Sequence, residues 1–385
     1  EGVPVEGVEG GSAPQPPEYL QQGEEQDAGS DPDRARRGDL TPDEGYAELC
    51  VTSNFTFLTG ASHPEELVAR AAELGLAAVA ITDRNSLAGV VRAHSALREI
   101  KRALAEGGTV AIRGQIVHDP SSRQDEAGPG LPVPPRLPRL IVGARLSFTD
   151  TDVEWLALPT DRAAYARLSR MLSTGKRRAE KGRCNLHLAD LQEGGEGLIL
   201  IALPPDGDQP EDALREMMRR FPGHVFLGAA PRYDGRDQAR LAARARLAQR
   251  SGVPMVALGD VLMHHARRRR LADVLTCLRE KCTIDRIGRR ALPNAERRLK
   301  APADMARMFR AHPAAIRRSL EIAGRCAFSL DELSYEYPDE VTNGEPPQKR
   351  LERLTAEGLR RRFPRGVPQD TLGKVEKELR IIGKL

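Results

Sequence analysis

Eight histidines, five cysteines and a large complement of arginine are the residues of this chain with chemistry to offer, and their spacing narrows what that chemistry could be. Cys277 and Cys282 lie close together, but no second Cys or His pair completes a four-ligand zinc set. The cysteines (Cys50, Cys184, Cys277, Cys282, Cys326) are odd in number and scattered, as expected of reduced thiols in a cytoplasm rather than of a disulfide framework. His63 stands in a turn that opens a helix, His94 falls within a helix, His187 is isolated, and His264-His265 precede a basic run. Each reads as a surface or packing group. No Ser/His/Asp arrangement and no phosphate-cradling glycine loop is present.

Charge is the stronger signal. The formal net charge of +4 conceals an acidic segment, residues 1–43, with eleven Asp/Glu against three Arg (net −8), so that residues 44–385 carry +12. Lys176-Arg177-Arg178, residues 267–270, Arg297-Arg298-Lys300 and Arg360-Arg361-Arg362 concentrate that excess. Such clusters attract a polyanion over about a Debye length, and nucleic acid is the natural candidate. Lys176, Arg177, Arg178, Arg297, Arg298 and Lys300 are the expected phosphate contacts; the alternative is that arginine-rich helices simply present solvated faces. No apolar run is long enough to span a bilayer and the acidic, Pro/Gly-rich N-terminus is unlike a signal peptide, so a soluble, cytoplasmic protein is expected.

The elements that must position these groups follow from hydrophobic pattern. Residues 1–43 are rich in Gly, Pro, Glu and Gln, lack periodicity, and are expected to form a disordered acidic tail. From Tyr46 short apolar runs alternate with amphipathic stretches. Runs at 46–51, 77–81, 140–145, 155–158, 197–202, 224–228 and 254–258 read as strands, and helices are expected from Ser62 to Gly75, over 86–105, and from Asp161, Pro210 and Asp237. Ser62 with Glu65 reads as a capping box, with Pro64 in the first turn and Gly75 at the end. Residues 107–138 break the pattern and look like a surface insertion. The order predicts an α/β fold, a parallel (β/α) barrel over 44–275, with a doubly wound open sheet as the alternative. Beyond about residue 275 the strands stop; 276–385 reads as a mainly helical, separate unit that breaks off at Leu385, as if truncated.

Several collinear stretches carry a resemblance. Ser53-Asn54-Phe55-Thr56-Phe57-Leu58-Thr59-Gly60-Ala61-Ser62-His63-Pro64-Glu65-Glu66-Leu67, Ala80-Ile81-Thr82-Asp83, Pro159-Thr160-Asp161-Arg162, Gly175-Lys176-Arg177-Arg178, Asp273-Val274-Leu275-Thr276-Cys277-Leu278-Arg279 and Phe328-Ser329-Leu330-Asp331-Glu332-Leu333 resemble, in order, the error-prone branch of the bacterial C-family DNA polymerases, which are DNA polymerase III alpha subunit-like. The resemblance implies a PHP-type barrel followed by the start of the polymerase palm region. In metal-binding PHP domains a His-x-His pair ends the first strand, an Asp-His pair the second and a Gly-x-Glu the third, with an Asp-x-His near the last. Here Cys50, Thr52, Arg84, Arg145 and Leu262 stand at the ligand positions, and only Asp83 and Asp260 keep their type. The resemblance thus implies a vestigial site with no bound metal and no catalytic residue, in which Arg84 or Arg145 would pair with Asp83 or Asp260.

The parent enzyme would be a DNA-directed DNA polymerase for damage-induced translesion synthesis. It would take template-primer DNA and deoxynucleoside triphosphates, need magnesium held by carboxylates beyond this chain, and engage a sliding clamp and mutagenesis accessory proteins. The chain alone would be inactive. The alternatives are a stand-alone PHP-type metal-dependent phosphoesterase, which the lost ligands disfavour, and a non-catalytic adapter for DNA-repair partners.

Overall fold

The computed structural model describes residues 45–106, 110–112, 115–117, 137–334 and 344–384. The acidic tail and most of the insertion expected at 107–138 lie outside them. Seven strands form one sheet in the order β1 (Ala47–Val51), β2 (Ala78–Arg84), β5 (Arg139–Leu146), β6 (Glu154–Pro159), β7 (Leu198–Leu203), β8 (Val225–Ala229) and β9 (Met255–Ala257). Inside the insertion β3 (Val110–Ile112) and β4 (Gln115–Val117) pair as a small antiparallel ladder. The sheet curls back on itself. Val261 N–H donates to the Cys50 carbonyl and Thr52 N–H to the Val261 carbonyl, both at 2.9 Å, so the segment after β9 closes the ring against β1.

The strands read as continuous apolar runs because both faces are covered. Along β7, Ile199 and Ile201 point into a cluster with Leu49, Leu156, Phe226 and Val256, while Leu198, Leu200 and Ala202 join the cluster beneath the surrounding helices. That is the two-residue alternation of a strand with two buried faces. Those helices are α1 (Pro64–Glu73), α2 (Ala88–Ala105), α3 (Arg162–Arg177), α4 (Leu188–Gly194), α5 (Glu211–Arg220) and α6 (Asp237–Ser251). The expected barrel is present with one difference: β6 runs antiparallel to both β5 and β7. The connection between β5 and β6, residues 147–153, is too short for the crossover a parallel neighbour needs.

Beyond the strands come α7 (Arg269–Glu280), α8 (Pro302–Met308) and α9 (Pro313–Arg325). Ile322, Ala323 and Cys326, at the end of α9, pack into the interior cluster, and Ser319 Oγ accepts from Ala47 N–H at 3.2 Å. The compact unit therefore runs to Glu332, past the position near 275 where strand periodicity ends. A second unit, from Leu333, holds α10 (Pro347–Arg362) and α11 (Gln369–Ile382), which touch where Gln348 Nε2 donates to the Leu379 carbonyl at 3.1 Å. Among the described residues no helix is long and apolar enough to cross a membrane.

The start of α1 differs by one position from the capping box read in sequence. His63 is the N-cap and Glu66 the reciprocal partner, its Oε2 accepting from His63 N–H at 2.8 Å. Ser62 is drawn elsewhere: its hydroxyl accepts from His264 N–H at 2.9 Å and sits 2.8 Å from His264 Nδ1.

Candidate functional site

The site lies at the mouth of the barrel, where β1, β2 and β5 end and the chain leaves β9. Asp260 has a left-handed backbone (φ 47°), a conformation Asp tolerates better than most residues, so its carboxylate is presented by a sharp turn. Arg145 Nη1 lies 2.8 Å from Asp260 Oδ1 and Arg297 Nη2 2.5 Å from Oδ2, so both carboxylate oxygens are held by guanidinium groups. Arg297 Nε also donates to the Asp260 carbonyl at 2.9 Å. Arg145 Nε reaches Glu154 Oε2 at 2.6 Å, and Glu154 Oε1 accepts from Arg84. The result is a chain of alternating charge, Arg84, Glu154, Arg145, Asp260, Arg297.

Electrostatics follow from that chain. Burial alone would raise the Asp260 carboxyl, but Arg297 and Arg145 outweigh it and hold the group well below the usual carboxylate range. Burial likewise opposes the charge of Arg145, and the nearby Asp260, Cys50 and Glu154 more than restore it. Cys50, whose Sγ lies 3.7 Å from Asp260 Oδ1, has its thiol pushed well up by burial and then by that carboxylate. It is no nucleophile at neutral pH.

Asp83 is separate. Its Oδ1 accepts from Ser53 N–H (2.9 Å) and Thr56 Oγ1 (2.8 Å), and its Oδ2 from Ser53 Oγ (2.7 Å). Burial raises its carboxyl despite these bonds. Gly89 lets α2 begin against it, since a Cβ there would stand 2.4 Å from Asp83 Oδ2. Arg84 does not turn to Asp83; its backbone N–H donates to Thr56 Oγ1 at 2.9 Å, and its half-exposed guanidinium goes to Glu154. Thr52 is buried and engaged through its backbone at the ring closure, and Leu262 packs with Ala61, Met263 and Ala272.

The residues at the ligand positions do not fit a metal cluster. A thiol with a raised pKa, a threonine, two arginines and a leucine replace the expected donors, and the retained Asp260 has both oxygens committed to arginine. Among the described residues no group of three or more His, Cys, Asp or Glu side chains is arranged to hold a metal ion.

Three participants escaped sequence reading. Glu154 was unmarked. Arg297 reads in sequence as a phosphate contact alongside Arg298 and Lys300. Glu48, a carboxylate inside an apolar strand, is fully buried: its Oε2 accepts from Tyr46 OH (2.9 Å) and Gly259 N–H (2.9 Å), and its Oε1 from Cys50 N–H (3.0 Å). Burial lifts its pKa to about 7 against those bonds. A Cβ at Gly259 would stand 2.3 Å from Glu48 Oε2, so glycine is what lets the turn preceding Asp260 sit on this carboxylate.

Nor does the structure turn both basic clusters outward. Lys176, Arg177 and Arg178 are exposed at the end of α3, with Arg178 paired to Asp190 at 2.6 Å. The other cluster faces the protein. Lys300 is buried, donates to the Glu296 carbonyl and lies 4.9 Å from the centre of the Tyr233 ring; burial lowers its pKa to about 8. Arg298 is largely buried beside Glu296, and Arg297 is spent on Asp260. Arg297, Arg298 and Lys300, expected from sequence as phosphate contacts, are thus engaged in contacts within the protein, with backbone carbonyls and acids.

Residues 48–224 match the PHP domain family. The chain is 66% identical over 346 residues to the error-prone DNA polymerase of Ruegeria pomeroyi (strain ATCC 700808 / DSM 15171 / DSS-3), covering 88% of this chain and 31% of that protein. It is 46% identical over 341 residues to the error-prone DNA polymerase of Rhodopseudomonas palustris (strain BisB5), covering 88% and 28%. Among solved structures, an amidohydrolase from Chromobacterium violaceum shares 15% identity at a TM-score of 0.35, over 57% of this chain and 88% of that one, a likeness too slight to build on. The chain thus spans less than a third of the length of these curated relatives. Residues 48–224 are thus similar to PHP domains, with a mouth bridged by arginine, and the chain is similar over 88% of its length to bacterial error-prone DNA polymerases.

Proposed function

We propose that this chain is the N-terminal portion of an error-prone, translesion DNA-directed DNA polymerase, and that its PHP domain is a non-hydrolytic brace for the polymerase. The supporting observation is the replacement of metal by guanidinium: Arg145 stands where a ligand would, and its charge neutralises Asp260 where a divalent ion would. Water activation at such a mouth needs a metal held by several free donors, and here the donors are missing or occupied. Nucleotide transfer belongs to magnesium-binding carboxylates that the resemblance puts beyond this chain, so the chain by itself is expected to be inactive. On this reading the whole protein works in the cytoplasm on template-primer DNA and deoxynucleoside triphosphates, with a sliding clamp and mutagenesis accessory proteins as partners. The exposed end of α3 is then a place where the brace meets phosphates.

The test is elemental analysis after dialysis against manganese and zinc, alongside hydrolysis of bis-p-nitrophenyl phosphate. No stoichiometric metal and no hydrolysis are expected. A stoichiometric metal lost on Asp260→Ala, with turnover lost alongside it, would restore the phosphoesterase reading.

A further inference from the structure

A cavity lies away from the mouth, on the outside of the barrel. It has a volume of about 600 Å³ and sits between α2, the start of β5 and the segment 327–331. That volume is in the range of small-ligand sites, roughly 300–1,000 Å³. One wall is a helical stripe: His94, Arg98, Lys101, Arg102 and Ala105 recur at spacings of three and four along α2, which brings them to one face. Arg139, at the first position of β5, supplies a further cation. The floor is apolar, made by Leu97, Leu140, Val142, Phe328 and Leu330, and Phe328 is fixed by stacking on Tyr165 with ring centres 4.4 Å apart.

Charge is out of balance there. Among the described residues of the lining one carboxylate is present, Asp331, and it is already taken, with His94 Nε2 at 3.2 Å and Arg98 at 4.0 Å. Lys101, Arg102 and Arg139 are exposed and make no ion pair among the described residues. Elsewhere on this unit clustered arginines do meet carboxylates: Arg240 reaches Asp206, Asp234 and Asp237, and Arg250 reaches Glu211. Three unpaired cations around an apolar floor form a receptor for a ligand with clustered negative charge at one end and a flat apolar body at the other.

We propose that this cavity is a binding site for a nucleoside phosphate, its phosphates on Lys101, Arg102 and Arg139 and its base over the Leu140 and Phe328 floor. The phosphate could belong to a free nucleotide or to the end of a DNA strand; the chemistry is shared. The proposal is independent of the brace reading, since it uses none of the residues at the mouth.

The test is calorimetric titration of the whole chain at low salt with ADP, with adenosine, and with a 5′-phosphorylated single-stranded DNA. ADP should bind and adenosine should not. Arg102→Glu/Arg139→Glu should weaken ADP by at least about tenfold per contact removed, with an unchanged Tm showing that the fold persists; Arg219→Glu, exposed near the end of α5, should have no effect. If the double variant unfolds, Lys101→Ala alone gives the same reading at smaller size. Competition of the strand with ADP would assign the site to strand ends; ADP binding without competition would assign it to free nucleotide. The proposal is overturned if ADP does not bind the unaltered chain, or binds the folded double variant, or Lys101→Ala where that is the variant used, equally well.

Discussion

Arg145 and Asp260 stand 115 positions apart in the chain and 2.8 Å apart in the fold. Removing the arginine would leave a largely buried carboxylate with only Arg297, and Glu154 with only the half-exposed Arg84. Arg145→Ala should therefore cost about 3 kcal/mol in urea denaturation. The pairing also sets an acid limit. Asp260 has a folded pKa below its unfolded value, so its contribution is present above about pH 4 and is lost as pH falls through the folded value. Arg145→Ala should flatten that acid limb; an unchanged limb would mean Arg297 alone sets it.

Glu48 has the opposite sign. Its folded pKa of about 7 lies above the ordinary 4.5, so the folded state holds a proton that the unfolded chain has already released. Stability is then fully present below about pH 4.5, falls as pH rises, and reaches its lower plateau above about 7. Glu48→Gln keeps an oxygen for the Cys50 and Gly259 amides and removes the charge. It should raise stability by on the order of 1–3 kcal/mol at pH 8, with the gain vanishing near pH 5. Thermal melts at the two pH values give the comparison, and an equal effect at both would show that charge is not the cause.

His264 is held neutral. Burial, then Arg268 and Arg267, lower its pKa to about 3 from 6.5, so the unfolded chain takes up a proton first and stability declines as pH falls from about 6.5 toward 3. His264→Gln should remove that part of the pH dependence while costing about 1–2 kcal/mol at pH 8 through the altered contact to Ser62. Melts from pH 8 to 4 on both proteins would reveal it, parallel curves counting against the assignment.

The two basic clusters should respond differently to truncation. Arg177→Ala should lower the salt slope of duplex DNA binding by about one phosphate contact and leave Tm unchanged. Lys300→Ala should lower Tm, by roughly 1–3 kcal/mol in stability, and leave the slope alone. Fluorescence anisotropy across a salt series, with melts on the same samples, separates the outcomes.

Much of this was legible in sequence. The apolar runs marked all seven strands of the main sheet because a sheet buried on both faces leaves no polar alternation to confuse them, and the departures at Cys50, Thr52, Arg84, Arg145 and Leu262 marked the mouth. Glu154 was not legible, for a topological reason. In a wholly parallel barrel the first residue of a strand lies at the end opposite the mouth. Because β6 is antiparallel, Glu154 begins its strand beside the end of β5, and with Leu156 in register with Arg145 it falls diagonally across from that arginine on one face. Arg297 was hidden by its basic neighbours, since a run of like charges reads as a solvated patch until a partner 37 residues away is in view. Lys101, Arg102 and Arg139 drew no notice because the insertion separates them in the chain.

Ile322, Ala323 and Cys326 stopper the barrel from below, and they come from chain well downstream of the last strand. A fragment cut near residue 275, where periodicity suggests a boundary, would be a vessel without a base. Water would reach Leu49, Phe226 and Val256, and the open apolar lining would favour aggregation. The smallest piece expected to fold alone thus extends to about Glu332, and during synthesis the base of the barrel is expected to close only once α9 has left the ribosome.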